Sequence, residues 1–285
     1  MFSRVVCLLA AVEAFSVAAP IADPSLVHAL AGSADGCEHV YLDCGSNIGV
    51  QVRKLYEPSM YPKARQVRDL FRRYFGEEDA ARSARTCAFG WEPNPRLETR
   101  LRKTQAAYNA LGWRAHFYTR TALSTFDGTA VLNAENAQTD RHAWASSITH
   151  ATLSTMNETF TVATLNLASF LEKVIADRVM PSGLEIGKVV MKLDVEGEEY
   201  KIIPHLIETR ALCVIDVIFI EWHARYVRQS SMNLPVVKAQ LDAFLNRTTN
   251  PSCKTQVVNL DDESYGRARE NPGLPVWTLS RTPYR

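Results

Sequence analysis

The sequence has almost no excess of charge of either sign, no internal repeat and no low-complexity tract. It holds 32 Lys and Arg against 31 Asp and Glu, a net charge of +1 over 285 residues. This balance provides no overall attraction to nucleic acid or to an anionic membrane, so neither is expected as a partner. Apolar residues make up 46% of the chain and charged residues 22%, which favours a packed domain over disorder.

Long hydrophobic runs are missing beyond the first twenty residues. The one candidate, Val5 to Ala19, follows Arg4 and closes on small residues, which is typical of a secretory signal peptide. It is too short for a comfortable membrane span. Because Glu13 interrupts it, a signal anchor and an organelle presequence stay open. We expect a signal peptide over 1–22, a linker over 23–36, and secretory entry without a stable membrane span.

Two sequons and the number of cysteines bear on the same compartment. Asn157 and Asn246 each begin an Asn-x-Thr sequon, so a glycoprotein is expected. Removal of Cys7 with the signal leaves five of six cysteines. An odd number predicts at least one thiol that is free or paired between chains.

Strand and helix patterns alternate after the linker, which predicts one α/β domain over 37–285 with a doubly wound, mostly parallel sheet. A helix is expected after the cap Asn94, with Leu111 on its apolar stripe, and another over 235–245. The last two strands should form an antiparallel pair. The predicted strands cover 39–43, 87–91, 114–119, 129–132, 188–194, 214–221, 254–259 and 276–279.

Residues 57–85 form an extra helical segment between the first two strands. Apolar side chains recur there at the spacing of an amphipathic helix, namely Val67, Leu70, Phe71, Tyr74 and Phe75. Its other face carries Arg65, Arg68, Arg72 and Arg73. This basic face is either a solvated surface of a covering helix or a lid or anion-binding patch beside a site.

The cysteines suggest a disulfide pattern. Cys37 and Cys87 precede or begin neighbouring parallel strands, so both lie at the same sheet edge and a bond is predicted. Cys213 and Cys253 are predicted to form a second bond. Cys44 lies at the opposite end of the first strand and should stay free. Five reduced cysteines are the alternative, which a cytosolic location would favour.

An acid and a glycine turn end the first strand. Asp43 is followed by Gly45, Asn47 and Gly49. Glycines let a backbone approach a ligand closely, and ligands of open α/β sheets lie outside the carboxyl ends of strands. An acid here repels phosphate and suits a cationic amino group. The missing third glycine disfavours a nucleotide-dependent oxidoreductase. A strand–turn–helix without a ligand is the alternative.

Three later strand ends also carry acids. Glu92 ends the second strand, where a carboxylate can accept both hydroxyls of a ribose; an ordinary acid at a helix start is the alternative. Asp194 and Glu196 follow one buried strand, and Glu221 and His223 follow the next, so these four should surround one crevice. The carboxylates could also bind a divalent ion. No dedicated spacing supports that, so no metal is predicted.

Together these motifs resemble the FkbM-type methyltransferase family. LDCGSNIG, WEPNP, ALSTFDGTAVL, ASSI, MKLDVEGEE and IEWH occur in the family's order over 41–226. The resemblance implies a Rossmann-like class I methyltransferase fold with a seven-stranded sheet and S-adenosyl-L-methionine as cofactor. It also implies methylation of an oxygen, often on sugars or glycoconjugates, so the expected partner is a small-molecule or glycan acceptor.

The resemblance also assigns roles by position. It places Asp43, Gly45, Asn47 and Gly49 at the methionine part of the cofactor and Glu92 at its ribose. Asp194 and Glu196 fall near the acceptor. The segment 57–85 is longer than the corresponding segment of a typical family member. The signal-like start suggests a lumenal or secreted enzyme.

The proton acceptor is open between two residues. His223 has an ordinary pKa of about 6.5, which suits a general base. Neighbouring carboxylates should raise that pKa and weaken it as a base, which makes Asp194 the alternative, with His223 then orienting the acceptor. Both could instead only hold the surrounding loop. A secreted pseudoenzyme or binding module is the rival function, and the intact acids in all four motifs argue against it.

Overall fold

A computed structural model describes residues 26–135, 146–149, 158–181, 187–224 and 233–260. The expected signal peptide, the Asn157 sequon and the strand expected at 276–279 lie outside these ranges. In chain order the elements are α1 (Leu26–Ala29), β1 (His39–Cys44), α2 (Val50–Tyr56), α3 (Arg65–Phe75), α4 (Asp79–Arg85), β2 (Thr86–Glu92), α5 (Glu98–Ala110), β3 (Arg114–Thr119), β4 (Thr121–Ser124), β5 (Gly128–Ala134), β6 (Ser146–Ser147), β7 (Glu158–Asn166), α6 (Leu167–Phe170), β8 (Val189–Leu193), α7 (Glu199–Glu208), β9 (Val217–Ile220), α8 (Leu234–Phe244) and β10 (Gln256–Val258).

The main sheet is parallel throughout the part of the chain described. Its six strands lie in the order β10–β9–β8–β1–β2–β3, so the chain builds outward from β1 in one direction and then from β8 in the other. Every residue of β1, β2 and β8 is buried, as central parallel strands require. This confirms the α/β class and the doubly wound parallel sheet. Six strands are present within the described ranges, and β10 pairs in parallel with β9.

A second sheet was not expected from the sequence. Its strands lie in the order β4–β7–β5–β6, with β7 parallel to β4 and antiparallel to β5. The segment Glu158–Asn166, for which no strand was predicted, is the centre of this sheet. Its first six residues alternate between more and less exposed positions, and four of its nine residues are β-branched, and both features are strand signals. The ALSTFDGTAVL segment therefore belongs to a separate sheet beside the main one.

Helices cover both faces of the main sheet. α2, α3 and α5 pack on the face that carries Tyr41, while α6, α7 and α8 pack on the face of Val40 and Leu42. In the part of the chain described, no helix combines the length and apolar character that crossing a bilayer requires. Leu111, expected on the apolar stripe of α5, lies just past the helix end and is exposed, because the helix stops at Ala110.

The predicted amphipathic helix is present as α3. Phe71 meets the ring of Tyr41 edge-on at 4.9 Å, and Phe75 stacks on His39 at 5.4 Å between centroids. His39 begins β1, so the carboxyl half of α3 lies over the edge of the sheet opposite Asp43. Of its four arginines two are exposed and two are half-buried, which fits a covering helix with a solvated face.

The end of the expected linker contributes to the core. Residues 26–36 contain α1, and Val27 and Ala34 are buried in the main apolar cluster. Arg114 donates to the carbonyls of Ser33 and Asp35 at 2.9 and 2.6 Å. A flexible linker would not bury apolar side chains in this way.

Both predicted disulfides are present. Cys37 bonds to Cys87 with a Cα–Cα distance of 5.6 Å, and Cys213 bonds to Cys253 at 4.9 Å. Cys44 is free and buried, as predicted. The first bond joins β2 to the segment before β1, and the second joins the segments before β9 and β10, so both lie at the amino edge of the main sheet.

Removal of the first bond should destabilise the fold. Cys37 and Cys87 lie 50 residues apart, so reduction frees a long loop in the unfolded state. We expect the double substitution Cys37→Ser, Cys87→Ser to lower the free energy of unfolding by roughly 2–4 kcal/mol, measured by denaturant unfolding without reductant. Cys44→Ala is the control and keeps both bonds. A wild-type peptide map without a linked Cys37–Cys87 fragment would contradict the assignment.

Candidate active site

The turns after β1 and β8 touch at the point where the strand order of the main sheet reverses. Gly45 has a φ of +92°, and a Cβ there would lie 1.8 Å from the carbonyl oxygen of Asp194. The Asp194 N–H donates to the carbonyl of Cys44 at 2.9 Å. Only glycine fits this contact. The sequence suggested that the glycine makes room for a ligand, but it makes room for the neighbouring turn of the protein.

Gly49 has a comparable structural reason. Its φ is +80°, and an added Cβ would meet Leu101 at 3.1 Å and Phe117 at 3.4 Å. The glycine therefore lets the start of α2 pack against α5 and β3. Both glycines shape the turn in which Asn47 lies.

Asp43 is the least satisfied polar group of this edge. It is fully buried, and neither carboxylate oxygen accepts a hydrogen bond from the described residues, because the neighbouring Ser46 hydroxyl donates to the backbone carbonyl of Asp43 at 3.0 Å. Burial raises the pKa of Asp43 to about 7, although the positive charge of Lys192, its register partner on β8, and the nearby Ser46 hydroxyl lower it. A buried carboxylate without donors is costly unless a ligand supplies them. Asp43 is thus suited to a ligand with a positively charged donor.

Glu92 links the turns that follow β1 and β2. Its two oxygens accept the N–H groups of Asn47 at 2.7 Å and Asn94 at 2.8 Å. Burial raises the pKa of Glu92 to about 7, against the lowering effect of these two hydrogen bonds. Each carboxylate oxygen can accept a second hydrogen bond, so the group still has capacity for ligand hydroxyls. Asn47 itself has a left-handed φ of 48°.

The four residues expected to surround one crevice do lie together. The Nε2 atom of His223 is 3.5 Å from an oxygen of Glu196, 3.5 Å from one of Glu221 and 3.7 Å from one of Asp194. Its Nδ1 atom lies 2.8 Å from Glu199 Oε1. The two strand ends thus place three carboxylates around one imidazole edge.

The protonation of His223 follows from these neighbours. Burial by itself lowers its pKa, but hydrogen bonds with Glu199 and Glu221 and the charge of Glu196 raise it to about 11. In this arrangement the ring is an imidazolium at neutral pH and has no lone pair to accept a proton. The hydrogen bond with His223 lowers the pKa of Glu221.

Two further residues complete the cluster, and sequence reasoning did not single them out. Lys192 is buried and pairs with Asp194; burial lowers its pKa, but the charges of Asp194 and Asp43 raise it overall. A lysine inside a buried strand is almost never left without a charged partner, which is the signal that could have identified it. Glu199, fully buried, accepts the N–H groups of Val195 and Gly197 at 2.9 and 2.8 Å.

The second sheet contacts this turn through hydroxyl groups. Ser124 and Thr149 each donate to Glu198 at 2.6 Å, and Ser147 donates to the carbonyl of Glu196 at 2.7 Å. The β4–β7 sheet therefore forms a wall beside the acidic turn and restricts its position.

This geometry describes a Rossmann-like protein in which the strand order reverses between β1 and β8, and open α/β sheets bind ligands at the carboxyl ends of the strands at such a point. The chain belongs to the FkbM methyltransferase family, because the family model described as Methyltransferase FkbM domain matches residues 43–248. No curated protein and no solved structure matches the chain. The family match supports a methyltransferase, and methyltransferases of this family generally use S-adenosylmethionine.

The substitution Asp43→Asn should raise stability and weaken cofactor binding. Because the pKa of Asp43 is about 7 in the folded protein and near 3.8 without burial, the folded state binds the proton more tightly. Its contribution to the free energy of unfolding therefore falls as pH rises from about 4 through 7. We expect the variant to have a higher Tm by roughly 3–6 °C at pH 8, and this difference should shrink as the pH falls from about 7 toward about 4.

S-adenosylmethionine binding should change in the opposite sense. Loss of a buried charged hydrogen bond should cost roughly 2–5 kcal/mol of binding free energy, measured by calorimetry at pH 8. Asp242→Asn, at an exposed position on α8, is the matched control. If Asp43→Asn were less stable at pH 8 and bound the cofactor normally, Asp43 would be a structural residue.

Proposed function

We propose that this chain transfers a methyl group from S-adenosylmethionine to a hydroxyl group of a sugar or glycoconjugate. The observation that carries the proposal is the buried carboxylate of Asp43, which has no donor among the described residues and lies at the point where such sheets bind ligands. The α-ammonium group of the cofactor is a donor of the right charge. Gly45, Asn47 and Gly49 form the turn that would border its methionine part.

Glu92 supports the same orientation of the cofactor. It lies at the end of the neighbouring strand β2, held by two backbone N–H groups, and can accept further hydrogen bonds from the two ribose hydroxyls. The adenosine would then be held near the ends of β2 and β3, and the methionine part near the turns after β1 and β8. In this orientation the methyl group would face the carboxylates around His223.

The cofactor, when bound, supplies an electrophilic methyl group on a positively charged sulfur. The protein has to hold the acceptor oxygen in line with that group and exclude water, which can account for much of the acceleration. It also has to receive the proton of the acceptor hydroxyl. Because His223 is already protonated, Asp194 takes the proton in our proposal, and His223 holds Asp194, Glu196 and Glu221 in place.

We also propose that the enzyme acts in the secretory pathway. Two disulfide bonds support an oxidising compartment, where such bonds form and persist. Asn246, which begins a sequon, is exposed on the turn after α8, and its Oδ1 accepts the N–H of Thr248 at 2.9 Å. The turn leads into Cys253 at the amino edge of the sheet, so a glycan on Asn246 would leave the opposite edge open to an acceptor.

Incubation of the purified protein with methyl-labelled S-adenosylmethionine and a panel of glycans, glycolipids and small hydroxyl compounds tests the function. We expect label to appear on an oxygen of a sugar-containing acceptor. Binding of the cofactor without transfer to any acceptor would favour the rival, a pseudoenzyme or binding module. Failure to bind the cofactor at all would overturn the proposal.

Substitutions at the carboxylate cluster should separate catalysis from structure. We expect His223→Ala and Asp194→Asn each to lower turnover by roughly 10²–10⁴-fold, with little change in cofactor affinity. Turnover and Tm are measured on the same samples, with Asp242→Asn as the control. A lower Tm with near-normal turnover of the folded fraction would mean that these residues only hold the turn.

A further inference from the structure

Ligand-bearing atoms of three side chains converge around His223. One ligand atom each from Asp194, Glu196 and His223 lies within 4.8 Å of the other two. The Nε2 atom is 3.5–3.7 Å from oxygens of three carboxylates, which is longer than a good charged hydrogen bond. Divalent ions bind such ligands at about 2.0–2.2 Å, which sets adjacent ligand atoms roughly 3–3.5 Å apart.

The imidazole has the support that metal-bound histidines have. Glu199 is fully buried and engages Nδ1 of His223 at 2.8 Å, which leaves Nε2 facing Asp194, Glu196 and Glu221. A carboxylate on the far nitrogen of a ligating histidine fixes the orientation of the ring and raises its basicity. The same Glu199 also holds the backbone of the turn that carries Glu196.

The cluster has more negative than positive groups. Asp194, Glu196, Glu221 and Glu199 surround His223, and Lys192 is the cation that pairs with Asp194. Asp43, which lies on β1 beside Lys192 of β8, has a buried carboxylate that accepts no hydrogen bond from the described residues. A divalent cation in place of the single Nε2 proton would reduce this excess.

We infer that Asp194, Glu196 and His223 bind a divalent metal ion, with Glu221 at its border and Glu199 orienting the histidine. One imidazole and two carboxylates suit an ion that accepts both nitrogen and oxygen ligands, such as Mn²⁺. The role of the ion rests on the proposed function: it would bind the acceptor oxygen and lower the pKa of the hydroxyl, whose proton would go to the oxygen of Asp194 that does not bind the ion. The binding itself does not depend on that function.

The test is a titration of the full chain, stripped with EDTA and desalted, with Mn²⁺ in the absence of S-adenosylmethionine. Free Mn²⁺ is followed by electron paramagnetic resonance. We expect one Mn²⁺ bound per chain and a higher Tm with the ion present, because a ligand that binds only the folded state stabilises it. Zn²⁺ should compete for the same site.

Matched variants locate the ion. Glu196→Gln, at a partly exposed position, and His223→Gln should each weaken Mn²⁺ binding at least 10-fold, and Glu199→Gln should weaken it roughly 10–100-fold through the histidine. Asp242→Asn should bind like wild type. Circular dichroism checks that each variant is folded, and Glu196→Gln keeps the test decisive if a buried variant fails to fold.

The outcomes separate this site from the proposed function. The metal site is overturned if the chain does not bind Mn²⁺, or if folded Glu196→Gln and His223→Gln bind it as the wild type does. In that case, methyl transfer at full rate in EDTA would still support the proposed function. If the wild type binds one Mn²⁺ and these variants do not, the metal site is supported. This holds even if the chain does not bind S-adenosylmethionine, a result that would overturn only the proposed function.

Discussion

The candidate site depends on one backbone contact, the approach of the turn after β1 to the turn after β8. A side chain at position 45 would overlap the carbonyl oxygen of Asp194, so glycine in a left-handed conformation is required for the two turns to meet. The contact continues the register that pairs Asp43 with Lys192, and it holds the start of the turn that carries Glu196 against the end of β1.

Around this contact the protein keeps several charged groups out of water. Most of them are satisfied inside the fold: Glu92 by two backbone N–H groups, Lys192 by Asp194, and His223 by Glu199 and its neighbours. Asp43 is the exception in the part of the chain described. A buried carboxylate without hydrogen-bond donors lowers stability, and proteins retain such groups where binding or catalysis needs them. The exception therefore carries more functional information than the satisfied groups do.

Two features differ between the sequence-based interpretation and the structure. No strand was predicted over Glu158–Asn166, the centre of the second sheet, whose pairing with β4 and β5 depends on contacts between separate segments of the chain. The glycines were assigned to ligand contact, whereas Gly45 and Gly49 meet other parts of the protein. For His223 the expectation is confirmed, because its neighbouring carboxylates raise its pKa to about 11 and weaken it as a base.

The sequence by itself determined the α/β class, most of the strands, the disulfide pairs and the set of acids at the strand ends. Those features follow from local periodicity and from the rule that parallel strands bring their carboxyl ends to one edge. Only the tertiary structure decided what each side chain touches: that Glu92 joins two turns, that Asp43 has no donor among the described residues, and that Glu199 reaches His223. Burial and charge–charge distances set protonation and ligand geometry, and these depend on contacts between residues far apart in the chain.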